Sequence, residues 1–206
     1  MDADRKPFGS RLGHWAAELL LVFLGAYAAF WLTNYQQHRA DLRRHDQLLA
    51  ALENEVTHAI DSATTEAAKE AKTVAVFRQA LESGQMPPLH PFSFTSDYSA
   101  TDIATLLQSG GYELLDVKTL IAIRKVESTL RGGLTAIQHY QKLSDELIVP
   151  NLDQDISFFY DPVTKKLRNR FAGYTDALER VRQFFEDYLK SENELLNQIR
   201  AERQRH

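Results

Sequence analysis

One continuous apolar stretch near the start of the chain limits what this sequence can fold into. It runs from Trp15 to Leu32 as WAAELLLVFLGAYAAFWL, and Glu18 is the only charged residue in it. A stretch of about 18 apolar residues is near the shortest that carries a helix across a bilayer. Because the stretch is apolar on nearly every face, the core helix of a soluble domain fits it poorly. We therefore predict a transmembrane helix over residues 15–35, after an N-terminal tail over residues 1–14.

Aromatic side chains stand at both ends of this stretch, with Trp15 on one side and Trp31 and Tyr35 on the other. These residue types concentrate at membrane interfaces. Glu18 opposes insertion, since an acidic residue costs roughly 2.5–3.5 kcal/mol at the membrane centre. The strongly apolar residues each favour insertion by about 0.3–0.6 kcal/mol. Glu18 also lies roughly 9 Å from the midpoint of the helix, where its cost is smaller, so insertion is favoured.

A cleavable signal peptide is the alternative interpretation of the same stretch. Ala26, Ala28 and Ala29 resemble the small residues of a cleavage site. Phe-Trp-Leu follows them directly at residues 30–32 and keeps the segment apolar, which favours an uncleaved anchor.

Basic residues on the two sides of the stretch leave its orientation almost undetermined. The residues on the two sides are Arg5, Lys6 and Arg11 before it and Arg39, Arg43 and Arg44 after it. The positive-inside rule therefore gives a tie. Since a short N-terminal tail commonly stays inside while a long domain is translocated, we predict a cytoplasmic N-terminus and a C-terminal domain outside the cytoplasm.

Small residues mark one face of the predicted transmembrane helix. Gly25 and Ala29 are four residues apart, a spacing that lets two helix backbones approach closely. Glu18, Val22 and Thr33 fall on the same face by helical spacing. We predict that these five residues form a packing face through which the chain associates with copies of itself. Two alternatives remain open for Glu18: it points to the lipid headgroups, or it lines a small oligomeric channel.

The rest of the chain, residues 36–206, has the pattern of a helical soluble domain. Leu42, Leu49, Val56 and Ala63 recur every seven residues, and no glycine or proline stands between Tyr35 and Gly84. The transmembrane helix is therefore predicted to continue as a stalk to about residue 83. Further helices are predicted at about 100–109, 116–149 and 175–203. The helix at 116–149 is predicted to be kinked or interrupted at Gly132-Gly133. No alternating apolar run marks a sheet, so the predicted fold is all-α, an antiparallel bundle.

No motif for catalysis, a metal or a cofactor stands out. The chain has no cysteine, and no HExxH pattern accompanies its histidines. Its glycine pairs lack the phosphate-loop pattern, and charged groups such as Glu192-Asn-Glu194 read as solvated helix faces. The formal net charge of −4 gives no footprint for nucleic acid. We therefore predict no enzyme, metal, cofactor or nucleic-acid function.

The anchor resembles that of a widespread group of bacterial single-pass membrane proteins whose soluble domain has no known function. In that group an acidic residue precedes a glycine by seven positions, an alanine follows four later, and an Asn-aromatic pair marks the exit. The matching positions here are Glu18, Gly25, Ala29 and Asn34-Tyr35. Residues 101–116 and 148–152 are similar to later segments of the group. The exit departs from the group, reading TNYQ at residues 33–36 instead of NNWN.

The resemblance implies a helical protein anchored in the bacterial inner membrane, and it implies no activity. The interpretation that combines it with the residue patterns is a membrane-anchored interaction or scaffold protein. Its expected partners are the lipid bilayer, further copies of the chain and an unknown protein. A single-span sensory domain is the alternative: a polar pocket between the helices would favour sensing, and a dry core would favour a scaffold.

Overall fold

The computed structural model describes residues 9–92, 103, 105, 107, 108 and 111–205, with side chains from Trp15 onward apart from residues 16 and 17. The chain divides into two compact units, Met1–Asp46 and Gln47–His206. Four α-helices have both ends in the described ranges: α1 Gly9–Glu82, α2 Val117–Leu143, α3 Ile156–Phe159 and α4 Gly173–Arg203. These ranges contain no strand, and the only β pairing in them is a single bridge between Tyr160 and Leu167. The all-α class is confirmed.

Two sequence-based expectations fall largely on residues that the structure does not describe. Most of the predicted tail, residues 1–8, lies outside the described ranges. Of the helix predicted at 100–109, only residues 103, 105, 107 and 108 are described, and these four are helical. Leu107 is completely buried, so this segment contributes to the core of the larger unit.

Helix α1 contains both the apolar stretch and the heptad stripe, because nothing between them interrupts a helix. Gly84 ends the helix in the left-handed conformation at φ +73°, which glycine adopts without steric cost. The Gln85 N–H donates to the Ala80 carbonyl at 2.9 Å and the Gly84 N–H to the Leu81 carbonyl at 3.0 Å. These bonds satisfy carbonyls that the helix end leaves unpaired.

Helix α4 runs antiparallel to residues 47–82 of α1. Glu53, early in that range, pairs with Arg200 near the end of α4, whereas Arg78 pairs with Glu179 near its start. The same order holds between α2 and α4, where Thr119 meets Glu202 and Tyr140 meets Tyr174. The unit Gln47–His206 is therefore an antiparallel bundle of three long helices.

The core of this bundle is made by the predicted stripes. Of the predicted stripe on α1, Leu49, Val56 and Ala63 are completely buried, as is Leu52, whereas Leu42 is 41% exposed. The buried side chains of α4 include Leu178, Val181, Phe184, Phe185, Tyr188, Leu195, Leu196 and Ile199. On α2, Ile123, Val126 and Leu130 are buried, whereas Ile121 is 64% exposed.

Helix α2 passes through Gly132-Gly133 as one continuous helix, so the predicted interruption is wrong. A Cβ atom at Gly133 would lie 1.9 Å from the ring of Phe184, whereas one at Gly132 would meet nothing within 4 Å. Gly133 is therefore required for the close approach of Phe184 of α4. The contact offsets the roughly 1 kcal/mol that a glycine costs inside a helix.

The α-helical part of α2 ends earlier than the predicted residue 149. The α-helix stops at Leu143, and a π turn, Ser144–Ile148, and a 3-10 turn, Val149–Asn151, follow it. Pro150 has no N–H to donate and cannot continue an α-helix. The turns lead the chain through α3 and a short hairpin to the start of α4.

Candidate functional site

The predicted transmembrane stretch is an exposed apolar surface around one helix. Its large apolar side chains, from Trp15 to Leu32, are 51–73% exposed. Helix α1 is also the one helix in the described ranges that is long and apolar enough to cross a membrane. An apolar surface of this extent is far larger than the scattered apolar residues that a water-soluble surface carries. Such a surface is stable only when an apolar environment covers it.

The five residues of the predicted packing face, Glu18, Val22, Gly25, Ala29 and Thr33, are all exposed on α1. A Cβ atom at Gly25 would meet nothing within 4 Å, so the groove at this glycine is open to a neighbouring helix. The Thr33 hydroxyl donates to the Ala29 carbonyl at 2.9 Å, within the same helix. This bond leaves close packing at Gly25 and Ala29 as the main attraction that the face offers. The side chain of His14, a conceivable partner for Glu18, lies outside the described ones.

A short aromatic and basic band follows the apolar stretch. The rings of Trp31 and Tyr35 stack with centroids 5.9 Å apart. The Arg39 guanidinium lies 5.0 Å from the centroid of the Tyr35 ring. Aromatic rings favour the membrane interface, and long basic side chains reach from there to the headgroups. Apolar, aromatic and basic residues follow one another along the helix, and residues of these types lie in the same order from the core of a bilayer to its surface.

The bundle interior holds one carboxyl group that the sequence patterns did not identify. The Glu192 side chain of α4 is only 1% exposed, so the expectation that it lies on a solvated face is wrong. The Tyr188 hydroxyl hydrogen-bonds to this carboxyl, and burial raises the pKa of Glu192 to about 7. Its Oε2 atom has no hydrogen-bond partner among the described residues. A carboxyl in this setting is half neutral near physiological pH.

A second buried carboxylate, that of Glu202, joins the end of α4 to the start of α2. Its Oε1 accepts from the backbone N–H of Asp116 at 2.9 Å, and its Oε2 accepts from the Thr119 hydroxyl at 2.5 Å. Asp116 itself makes no side-chain capping bond. Glu202 of α4 therefore caps the N-terminus of α2. The dipole of α2 also favours a negative charge at this end of the helix.

Tyrosine hydroxyls hold the segment after α1 against the bundle. The Tyr160 hydroxyl donates to the Pro87 carbonyl at 2.6 Å. The Tyr174 hydroxyl accepts from the His90 N–H at 3.0 Å, and the Tyr140 hydroxyl donates to the His90 carbonyl at 3.2 Å. Burial raises the pKa of all three tyrosines, so they remain protonated donors. These hydrogen bonds hold residues 87–90 against the bundle.

Removing the Tyr160 hydroxyl tests this attachment. Tyr160→Phe is expected to lower the free energy of unfolding by about 1 kcal/mol, the net value of a typical hydrogen bond. The measurement is denaturant unfolding of the full chain in detergent, followed by far-ultraviolet circular dichroism. Tyr112→Phe is the matched control, since Tyr112 is 41% exposed, and it should change stability by less than about 0.5 kcal/mol. Equal effects of the two substitutions would refute the attachment.

Helical spacing contains a signal for both buried acids. Glu192 lies four residues after Tyr188 and three before Leu195, and Glu202 lies three after Ile199. Each therefore falls on the apolar stripe of α4. A polar residue on an apolar stripe is the informative exception, because burying a charge costs free energy unless partners offset it.

Comparison with known proteins gives no relative: no family model, no curated protein and no solved structure matches this chain.

Proposed function

We propose that this chain is a membrane-anchored helical scaffold that associates with copies of itself and presents its bundle to a protein partner. The observation that carries the proposal is the exposed apolar surface of residues 15–32, in which no large side chain is less than 51% exposed. Lipid covers such a surface without any further protein. The aromatic and basic band at Trp31, Tyr35 and Arg39 supports an interface at that end of the stretch.

The interior of the bundle supports a scaffold over a ligand-binding sensor. The hollow at Glu192 has a volume of about 30 Å³, which is room for about two water molecules, whereas ligand pockets have roughly 300–1,000 Å³. The larger hollows found in the described ranges are open surface grooves, such as the one beside Gly132 with about 500 Å³. A channel that uses Glu18 has no such support, and it remains the weaker alternative.

Self-association is tested through single cysteines, which are unambiguous because the chain has none of its own. Ala29→Cys lies on the packing face, and Tyr27→Cys lies about 200° around the helix at nearly the same depth. Oxidation of isolated membranes is expected to give a disulfide-linked dimer with Ala29→Cys and little with Tyr27→Cys. Adding Gly25→Leu to Ala29→Cys should strongly reduce the dimer, since the leucine fills the groove. Equal dimer from both cysteines would exclude this face.

Orientation requires a separate measurement. We propose that the N-terminus is cytoplasmic and that the bundle lies outside the cytoplasm of a bacterial cell. Asn197 is exposed on α4, and Asn197→Cys should therefore react with a membrane-impermeant maleimide once the outer membrane is permeabilised and the inner membrane is intact. Reaction only after lysis of the inner membrane would place the bundle in the cytoplasm.

A further inference from the structure

Three helices of the bundle meet around the carboxyl group of Glu192. The hollow beside it is lined by Ala59 of α1, by Ile123, Val126 and Leu130 of α2, and by Ile103. Its volume of about 30 Å³ admits about two water molecules, since each needs roughly 10–15 Å³ of such space. One face of this hollow is thus apolar, and only a few polar groups reach it.

The ionisable groups that face Glu192 are mostly acidic. Glu55 of α1 and Glu127 of α2 line the same hollow, as does Tyr188 of α4. The charge of Glu127 is partly matched by Arg124, whose guanidinium lies 3.1 Å away. No basic side chain lines the hollow among the described residues. Among the described residues, an ionised Glu192 therefore meets the repelling charge of Glu55 and a hydrogen bond from the Tyr188 hydroxyl.

A carboxylate has two acceptor oxygens, and burial without partners costs it several kcal/mol. Here Oε2 has no hydrogen-bond partner among the described residues. The neutral acid avoids most of this cost, because it carries no charge and its O–H serves as a donor. Adding a proton to Glu192 therefore makes the bundle tighter, and removing it makes the packing of α4 less favourable.

We propose that Glu192 is a proton-operated switch: the neutral acid is accommodated where α1, α2 and α4 meet, and the carboxylate loosens α4 at this level. The switch is a property of the bundle and does not depend on the membrane anchor. It would make the surface of the bundle responsive to the pH of its compartment.

The sign of the pH dependence follows from the direction of the pKa change. Burial, with a smaller contribution from the charge of Glu55, raises the pKa of Glu192 from 4.5 to about 7 in the folded chain. The stabilisation is therefore complete below the unfolded value and is lost as the pH rises through the folded value. Between these values one proton is released on unfolding, so the unfolding equilibrium constant rises by up to about tenfold per pH unit.

The test is denaturant unfolding of the full chain in detergent between pH 5 and pH 8, comparing wild type with Glu192→Gln. Glutamine has the same shape and no charge, so this variant should lose the pH-dependent part of stability that Glu192 causes. Glu194→Gln, two residues away and paired with Lys125, is the matched control and should keep the wild-type slope. The same slope in wild type and Glu192→Gln would overturn the proposal.

Three further measurements keep the proposal testable if Glu192→Gln does not fold. Glu55→Gln removes the repelling charge and should move the pH-dependent range of the wild type to lower pH. Infrared difference spectra of the wild type should show the band of a protonated carboxylic acid at pH 6 that disappears by pH 8. Amide hydrogen exchange in α4 near residue 192, corrected for intrinsic rates, should be faster at pH 8. Any one of three results would refute the switch: a pH-dependent range of stability that does not move in Glu55→Gln, no infrared band of a protonated carboxylic acid at pH 6, or equal hydrogen-exchange rates in α4 at both pH values.

Discussion

Replacing Glu202 with alanine is expected to lower the free energy of unfolding by roughly 3 kcal/mol or more. The carboxylate accepts two hydrogen bonds, from the Asp116 N–H and the Thr119 hydroxyl, and a hydrogen bond to a charged group contributes roughly 1.5–3 kcal/mol. Thr119 is completely buried, so its hydroxyl would lose its partner with little access to water. The loss should appear as a lower denaturant midpoint of the full chain in detergent.

The controls for this prediction separate capping from general loss of a side chain. Glu202→Gln keeps the shape and one acceptor oxygen, so it should retain part of the stability. Glu194→Ala removes a half-exposed carboxylate on the same helix, which pairs with Lys125, and its effect should be much smaller. If Glu202→Ala were no more destabilising than Glu194→Ala, the two hydrogen bonds would not stabilise the start of α2.

Alanine at Gly133 and alanine at Gly132 are expected to have opposite effects. At Gly133 the added methyl group meets the Phe184 ring at 1.9 Å, and overpacking of a core costs about 1–3 kcal/mol. At Gly132 the methyl group meets nothing within 4 Å, and alanine gains up to about 1 kcal/mol in a helix interior. Two adjacent substitutions of the same kind therefore differ by roughly 1–4 kcal/mol.

Thermal or denaturant unfolding of the two variants measures this difference. Gly133→Ala should cost less stability when Phe184→Leu is already present than it costs in the wild type, because leucine leaves space for the added methyl group. Stabilisation by alanine at both positions would show that α2 and α4 do not approach closely at this level.

Polarity patterns were sufficient to predict the architecture. The apolar stretch, the seven-residue stripe on α1 and the three-to-four spacing on α4 are local properties of the sequence, and the core that they predict is present in the bundle. Gly84 and the prolines after it marked the end of α1 for an equally local reason, since neither residue type continues a helix.

The errors concern residues whose role depends on another helix. Gly133 appeared to be a helix breaker because its contact with Phe184 cannot be read from α2 alone. Glu192 appeared solvated because acidic residues are rarely buried, although its helical spacing placed it on the stripe. Glu202 and Asp116 are 86 residues apart, so the cap between them was invisible to local patterns.

The central claim is that residues 15–35 lie within a bilayer, and the partition of the chain tests it most directly. Membranes from cells that express the full chain are washed with alkaline carbonate and sedimented at high speed, with and without detergent. A second chain carrying Leu20→Arg and Leu24→Arg serves as the control, because each arginine costs roughly 2.5–3.5 kcal/mol at the membrane centre. Our account predicts that the wild type stays in the pellet until detergent is added and that the arginine variant is released. A wild-type chain in the carbonate supernatant without detergent would contradict it.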